Sequence, residues 1–250
     1  MDKATQQYLL NLVKRNYEKI AEDFDITRKK HIELSPELIS IIQKIKNNQT
    51  ILDVGCGNGR LLKAFQNKKI NYIGIDNSKK LLKLAREQWT SKLTPSTPTL
   101  SGRSDLQNSK FILGNILELD KLQEKDFDYI FCLAVLHHLP GQDLRLVALK
   151  QLKNKINQHG KIIITVWNML PQKKFRKLLF KFTLLKIIRK SKMDFGDVLF
   201  NWKDNVGQAI SRRYYHIFIK QELIKIFKKA GLKVEKLYKD KYNYCAVLNK

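Results

Sequence analysis

Ile51-Leu52-Asp53-Val54-Gly55-Cys56-Gly57-Asn58-Gly59-Arg60 runs from an apolar strand through three alternating glycines into a helix-like segment. Glycine permits a tight turn at positive φ and close approach of a ligand to the main chain. Between a strand and a helix N-terminus, such a loop forms a nucleotide pocket in an open parallel sheet. The next apolar run, Tyr72-Ile73-Gly74-Ile75, ends on Asp76. An acid at that strand end can accept hydrogen bonds from both hydroxyls of a ribose. The alternative is a strand-to-helix turn without a ligand, but Asp76 and the later segments agree with a pocket.

The dinucleotide fingerprint Gly-x-Gly-x-x-Gly is absent. The spacing Asp-x-Gly-x-Gly-x-Gly resembles motif I of class I S-adenosylmethionine (SAM) methyltransferases. SAM has no pyrophosphate, which leaves Asp53 available near its positively charged methionine end. The resemblance implies that Asp53, Gly55, Gly57, Gly59 and Asp76 bind the cofactor.

Working outward, apolar residues at helical spacing predict a helix over 4–24. Ser35 and Pro36 open a second helix over 36–46. Strands follow at 50–54, 71–76, 111–113, 127–133 and 160–167, separated by helices at 59–66, 79–89 and 144–156. Residues 90–109 read as a surface loop. A helix at 220–230 ends on Gly231, and 232–238 with 242–248 reads as a closing β-hairpin. Alternating strands and helices predict a doubly wound α/β sheet of the class I methyltransferase (Rossmann-like) type, with a terminal antiparallel strand. The expected organisation is one domain over 1–250, with a helical cap at about 1–47 and a basic helical insertion at about 171–212.

Hydrophobic residues make up 43% of the 250, enough for a sizeable core, and no apolar run reaches membrane-spanning length. The N-terminus does not read as a signal peptide. Cys56, Cys132 and Cys245 show neither metal spacing nor a disulfide framework, so no metal and a reducing cytoplasm are expected. The net charge of +25 favours a polyanion, unless it reflects a generally basic surface. Residues 173–192 hold nine basic residues and no acid, with Phe175, Leu178, Leu179, Phe182 and Leu185 at helical spacing. This basic amphipathic helix suits RNA phosphates, an anionic membrane surface or the protein's own core. On the first reading Lys173, Lys174 and Arg176 contact RNA phosphates.

The fourth strand leads into Phe131-Cys132-Leu133-Ala134-Val135-Leu136-His137-His138-Leu139. Cys132 lies inside the strand and reads as a core cysteine. The His137-His138 pair suits an oxygen acceptor: an imidazole there holds the acceptor or the cofactor carboxylate, acts as a base, or simply caps the following helix. A carboxylate acceptor is ionised at pH 7 and needs positioning rather than a base. Arginines are natural holders of a carboxylate, and Arg28, Arg145, Arg212 and Arg213 are candidates.

Five stretches together resemble the eukaryotic-type tRNA wobble-uridine methyltransferases, which esterify 5-carboxymethyluridine. They are Tyr17-Glu18-Lys19-Ile20-Ala21-Glu22-Asp23-Phe24 with Thr27-Arg28, the glycine loop, Ala134-Val135-Leu136-His137-His138 with Arg145, Val166-Trp167 with Asp197-Val198-Leu199-Phe200-Asn201-Trp202, and Arg213-Tyr214-Tyr215-His216-Ile217-Phe218 with Glu222-Leu223. The resemblance implies SAM-dependent methyl transfer to a modified wobble uridine of tRNA. It implies that Arg28, His138 and Arg145 line the acceptor pocket, with His137 beside them. Arg213, Tyr214 and His216 would shape that pocket or contact tRNA. It also implies, as partner for some members, a small zinc-binding activator that covers an apolar patch on the sheet edge. The family's adenine-contact acid is here Asn115, followed by Ile116, and an amide can still accept from the adenine amine. The rival readings are a small-molecule O-methyltransferase and a non-catalytic RNA-binding protein that keeps the fold.

Overall fold

The computed structural model describes residues 1–29, 34–89, 108–203 and 209–250; the side chains of 28, 29, 202, 203, 209 and 210 are outside the description. Its centre is β1 (Thr50–Val54), buried from Ile51 onward, as a parallel strand covered on both faces must be. β1 pairs in parallel with β2 (Asn71–Asp76) on one side and β4 (Phe127–Leu133) on the other. β3 (Ser109–Leu113) flanks β2, and β5 (Ile156–Trp167) flanks β4. The last two strands, β8 (Lys233–Lys239) and β9 (Asn243–Asn249), pair with each other, and β9 runs antiparallel to β5. The order is β3-β2-β1-β4-β5-β9-β8.

Alternation along the strands divides the core in two. Ile51 faces a cluster containing Leu38 and Ile42 of α3 (Pro36–Lys44) and Leu82 and Ala85 of α4 (Lys79–Trp89). Leu52 and Val54 face the other side, with Leu149 and Leu152 of α5 (Gln142–Lys155) and Ile226 and Phe227 of α7 (Lys220–Lys229). The strand order reverses at β1, so the carboxyl ends of β1 and β4 open a crevice there.

The helix expected over 4–24 divides at Ile20 into α1 (Lys3–Lys19) and α2 (Ala21–Lys29). The break lets consecutive Ile20 and Ala21 both be buried. The segment after the glycine loop is a 3₁₀ turn, Arg60–Phe65, with Leu62 N donating to Gly59 O at 3.0 Å. Most of the loop expected at 90–109 lies outside the described residues.

The block at 171–212 departs furthest from expectation, because only its first half is helical. α6 (Lys173–Ile187) is followed by an antiparallel pair, β6 (Asp197–Lys203) and β7 (Ala209–His216). Val198 and Tyr215 face α6 through Phe175, while Leu199 and Tyr214 face α1 through Leu9. Both faces of this small sheet are therefore covered. Its sequence signal is the short apolar run Val198-Leu199-Phe200, as expected of a strand covered on both faces.

Candidate active site

A cavity of about 1020 Å³ opens at the strand-order reversal. That is the upper end of small-molecule sites, about 300–1,000 Å³, and leaves room for a cofactor and part of an acceptor. Its floor is the loop after β1, one wall is the end of β4, and α1 and α2 cover it through Tyr17 and Phe24.

The loop is bare backbone for steric reasons. Gly55 has φ +76°, and a Cβ there would lie 2.3 Å from Val135 Cγ2. Gly57 N donates to Asp76 Oδ2 at 2.8 Å, and Ser78 N donates to Asp76 Oδ1 at 2.8 Å. An ionised carboxylate has about four acceptor positions. The two backbone bonds aim Asp76 and leave capacity for two ribose hydroxyls. Burial raises its pKa, and the N–H donors of Ser78 and Gly57 oppose that rise. Asp53 also lines the cavity, and its Oδ2 accepts from Tyr72 Oη at 2.7 Å. Burial pushes its carboxyl up to about 7, against the opposing effects of Tyr72 and Arg60. Asn115 and Ile116 line the cavity, but Asn115 Oδ1 already accepts from Leu117 N at 3.1 Å. The donor set fits SAM: an acid for a ribose, a second acid for a cation, and exposed backbone between them.

The protonation of Asp53 gives a measurable consequence. Below pH 7 the buried carboxyl carries a proton, and a cationic ligand must expel it to gain the charge pairing. SAM affinity therefore rises about tenfold from pH 6 to pH 8. Isothermal calorimetry in buffers of different ionisation enthalpy reads the affinity and the released proton. Asp53→Asn flattens the profile; a wild-type profile that is already flat contradicts the assignment.

The opposite wall holds His137 and His138. His138 Nε2 lies 2.8 Å from Tyr17 Oη. Trp167 N donates to His137 Nδ1 at 3.4 Å, and the rings of His137, His138 and Trp167 pack around Tyr215. Burial pushes His138 down to about 3, with the Arg213 charge adding to the effect, and holds His137 well below the usual imidazole range. Both are neutral at pH 7. Burial also pushes the Cys132 thiol up, so the fully buried Cys132 remains a core thiol.

Several residues expected in the site lie elsewhere. Arg145 is 2% exposed; its NH1 donates to Leu139 O at 3.1 Å and lies 4.0 Å from Asp197 Oδ1. Tyr214 Oη donates to Asp197 Oδ1 at 2.8 Å. His216 lies between Asp197 Oδ1 (2.7 Å) and Glu222 Oε1 (2.8 Å). These three belong to a buried polar network that fastens β6 and β7 to α5 and α7. Arg145 therefore does not line the pocket, and Tyr214 and His216 cannot touch tRNA. Arg213 stands behind the histidine wall, where its NH1 donates to Tyr215 Oη at 3.3 Å. Gly59, at φ +73°, does not line the cavity; a Cβ there would meet Phe111 and Trp89 at 2.9 Å, so it serves packing. Arg176, Lys173 and Lys174 are all exposed, and Arg176 NH1 also donates to the carbonyls of Leu170 and Pro171. The side chain of Arg28 is outside the described residues.

Tyr17, Trp167 and Ala134 line the cavity without having been singled out as site residues. Tyr17 reads in sequence as one of the apolar positions of α1. A buried tyrosine, however, also seeks a partner for its hydroxyl, and here that partner is His138. Ala134 has φ +60°, held by bonds from its N–H to Thr165 O (3.0 Å) and Oγ1 (2.9 Å). Such strain collects at functional sites and has no signature in the alanine itself. Among the described residues, Lys14 and Arg60 are the cations on the cavity wall.

Comparison with known proteins places this geometry in a family. A tRNA (carboxymethyluridine(34)-5-O)-methyltransferase of Schizosaccharomyces pombe is 25% identical, covering 98% of both chains. The corresponding enzyme of Xenopus tropicalis is 24% identical over 95% of this chain, which spans only 40% of that relative's length. This chain likewise spans 35% of its Arabidopsis thaliana relative. Among solved structures, a SAM-dependent methyltransferase from Methanosarcina mazei superposes with a TM-score of 0.66 at 18% identity, covering 88% of this chain and 99% of that one. A complex between the Haloferax volcanii Trm112 methyltransferase activator and a methyltransferase gives a TM-score of 0.58 at 15% identity, covering 90% and 78%. The model of a methyltransferase domain matches residues 45–231, three quarters of the sequence and all five parallel strands around the cavity, and the chain therefore belongs to the methyltransferase-domain family.

Proposed function

We propose that the protein is a SAM-dependent methyltransferase that esterifies the carboxylate of 5-carboxymethyluridine at the tRNA wobble position. The observation that carries the acceptor is the neutral histidine wall. A hydroxyl acceptor needs a base poised near the working pH. His138, held by Tyr17 and pushed down to about 3, is a poor one. A carboxylate is already ionised at pH 7 and asks only for orientation and removal of water. The names of the relatives from Schizosaccharomyces pombe and Xenopus tropicalis support the same acceptor.

Bound at the glycine loop, SAM supplies a methyl group on a positively charged sulfur. Asp76 would hold the ribose, and Asp53 would pair with the positive end. Tyr17 and His138 form a fixed, uncharged surface that would orient the acceptor carboxylate toward the methyl group. Lys14 on α1 adds positive charge on the cavity wall for an incoming carboxylate. Trp167 and Phe24 exclude water from the anion.

The test uses tRNA from cells lacking this activity, labelled SAM and mass spectrometry of the wobble nucleoside. A base-labile methyl ester on uridine is expected. His138→Gln, which keeps a hydrogen bond to Tyr17, lowers the single-turnover rate less than about tenfold; loss of a general base would cost about 10²–10⁴. Base-stable label, label confined to small molecules, or a rate loss in the larger range contradicts the reading.

A small zinc-binding activator is a further proposed partner. Its support is the Haloferax volcanii complex and the edge strand β3, where Leu113 is exposed and, among the described residues, no strand pairs on the outer side. No helix among the described residues is long and apolar enough to cross a membrane. A reducing compartment such as the cytoplasm is proposed from the three free, buried cysteines.

A further inference from the structure

Beyond the cavity, α6 and β6 enclose a second groove. Lys173, Lys174, Lys177 and Lys181 line it, and Phe200 forms its floor. The four lysines are exposed, and among the described residues no carboxylate pairs with them. Their spacing puts them on one side of the helix, with like charges four residues apart twice. Such pairs weaken a helix. A concave cluster of unpaired like charges serves a polyanion better than it serves the fold.

The groove is joined to the cavity by a column of rings. Lys174 Nζ lies 5.3 Å from the Phe200 ring centroid. Phe200 stacks on Tyr215 at 5.1 Å with 15° between planes, and Tyr215 stacks on Trp167 at 5.1 Å and 19°. Trp167 is part of the cavity wall. We propose that this groove binds the phosphodiester backbone of the RNA strand whose nucleotide enters the cavity. The proposal rests on the tRNA reading and adds the surface that holds the strand. The Phe200 and Trp167 rings are only two stacking steps apart, so the phosphates held lie a few nucleotides from the methylated one. Lys177 and Lys181 take the role that the sequence suggested for Arg176.

Toward the far end of α6, Phe180, Leu184 and Ile187 are exposed. An anionic membrane is therefore the competing partner, and it forms one arm of the test. The full chain is titrated into a fluorescent anticodon stem-loop RNA at several salt concentrations. Lys177→Glu combined with Lys181→Glu lowers affinity about 10- to 100-fold and reduces the slope of log K against log salt by about one to two. Lys177→Arg with Lys181→Arg restores both. Calorimetry with S-adenosylhomocysteine, unchanged across the variants, shows that the cavity is intact. Wild-type RNA affinity and slope in the charge-reversed variant overturn the groove while leaving the esterification reading standing. Absence of RNA binding in the wild type overturns both. Loss of flotation with phosphatidylserine vesicles, with RNA binding intact, assigns the groove to a membrane and overturns the proposal.

Discussion

Asp76→Ala lowers affinity for S-adenosylhomocysteine about 100-fold or more. The wild-type carboxylate is held by Gly57 N and Ser78 N at 2.8 Å each, so it meets a ribose without reorganising. Hydrogen bonds to a charged group contribute about 1.5–3 kcal/mol each. Losing two costs at least about 3 kcal/mol, and each 1.4 kcal/mol is a factor of ten. The variant also leaves the Gly57 and Ser78 donors unpaired and loosens the loop. Asp76→Asn retains one acceptor oxygen and recovers part of the loss. Calorimetry measures all three proteins, and thermal melting of the unliganded forms separates binding from unfolding. An Asp76→Ala affinity within twofold of wild type would remove the ribose from this pocket.

Asp197→Ala destabilises the protein by about 3–5 kcal/mol, the range for breaking a buried ion pair from one side. Asp197 and Arg145 are 1% and 2% exposed, and their charged atoms lie 4.0 Å apart. The same carboxylate accepts from Tyr214 Oη at 2.8 Å and faces His216 Nδ1 at 2.7 Å. Removing it leaves a guanidinium, a phenol and an imidazole buried without their shared partner. Asp197→Asn keeps an acceptor while losing the charge, and falls between. Urea unfolding followed by circular dichroism gives the free energies. Asp197→Asn retains wild-type affinity for S-adenosylhomocysteine, because the network stands apart from the cavity. A loss below about 1 kcal/mol for Asp197→Ala, or weakened ligand binding by a stable Asp197→Asn, would return these residues to the site.

These effects separate what is local from what is not. Asp53, Gly55, Gly57 and Asp76 are legible as cavity residues because their placement depends on neighbouring backbone. A strand, a turn at positive φ and an acid at the next strand end form one continuous pattern in the sequence. Gly59 follows the same pattern, yet it answers to Phe111 and Trp89. The antiparallel pair of β6 and β7 looks in sequence like part of a helical insertion, because the basic, helix-spaced run before it extends the helical impression. Its apolar run is short, and its faces are covered by α1 and α6, distant in sequence.

Arg145, Tyr214 and His216 show the other limit. A polar side chain can serve a ligand or the core, and the residue type is the same in both cases. The choice depends on whether a buried partner waits across the fold, and Asp197 does. Tyr17 is the converse case, an apparent core position whose hydroxyl meets His138 on the cavity wall. The sequence alone determined the sheet, the cofactor loop and the basic character of α6, since strand periodicity, glycine backbone freedom and net charge are properties of contiguous residues. Only the tertiary structure decided which polar groups face the cavity, which neutralise one another in the interior, and which lysines share a groove, because burial and pairing are set by segments that meet only when the chain is folded.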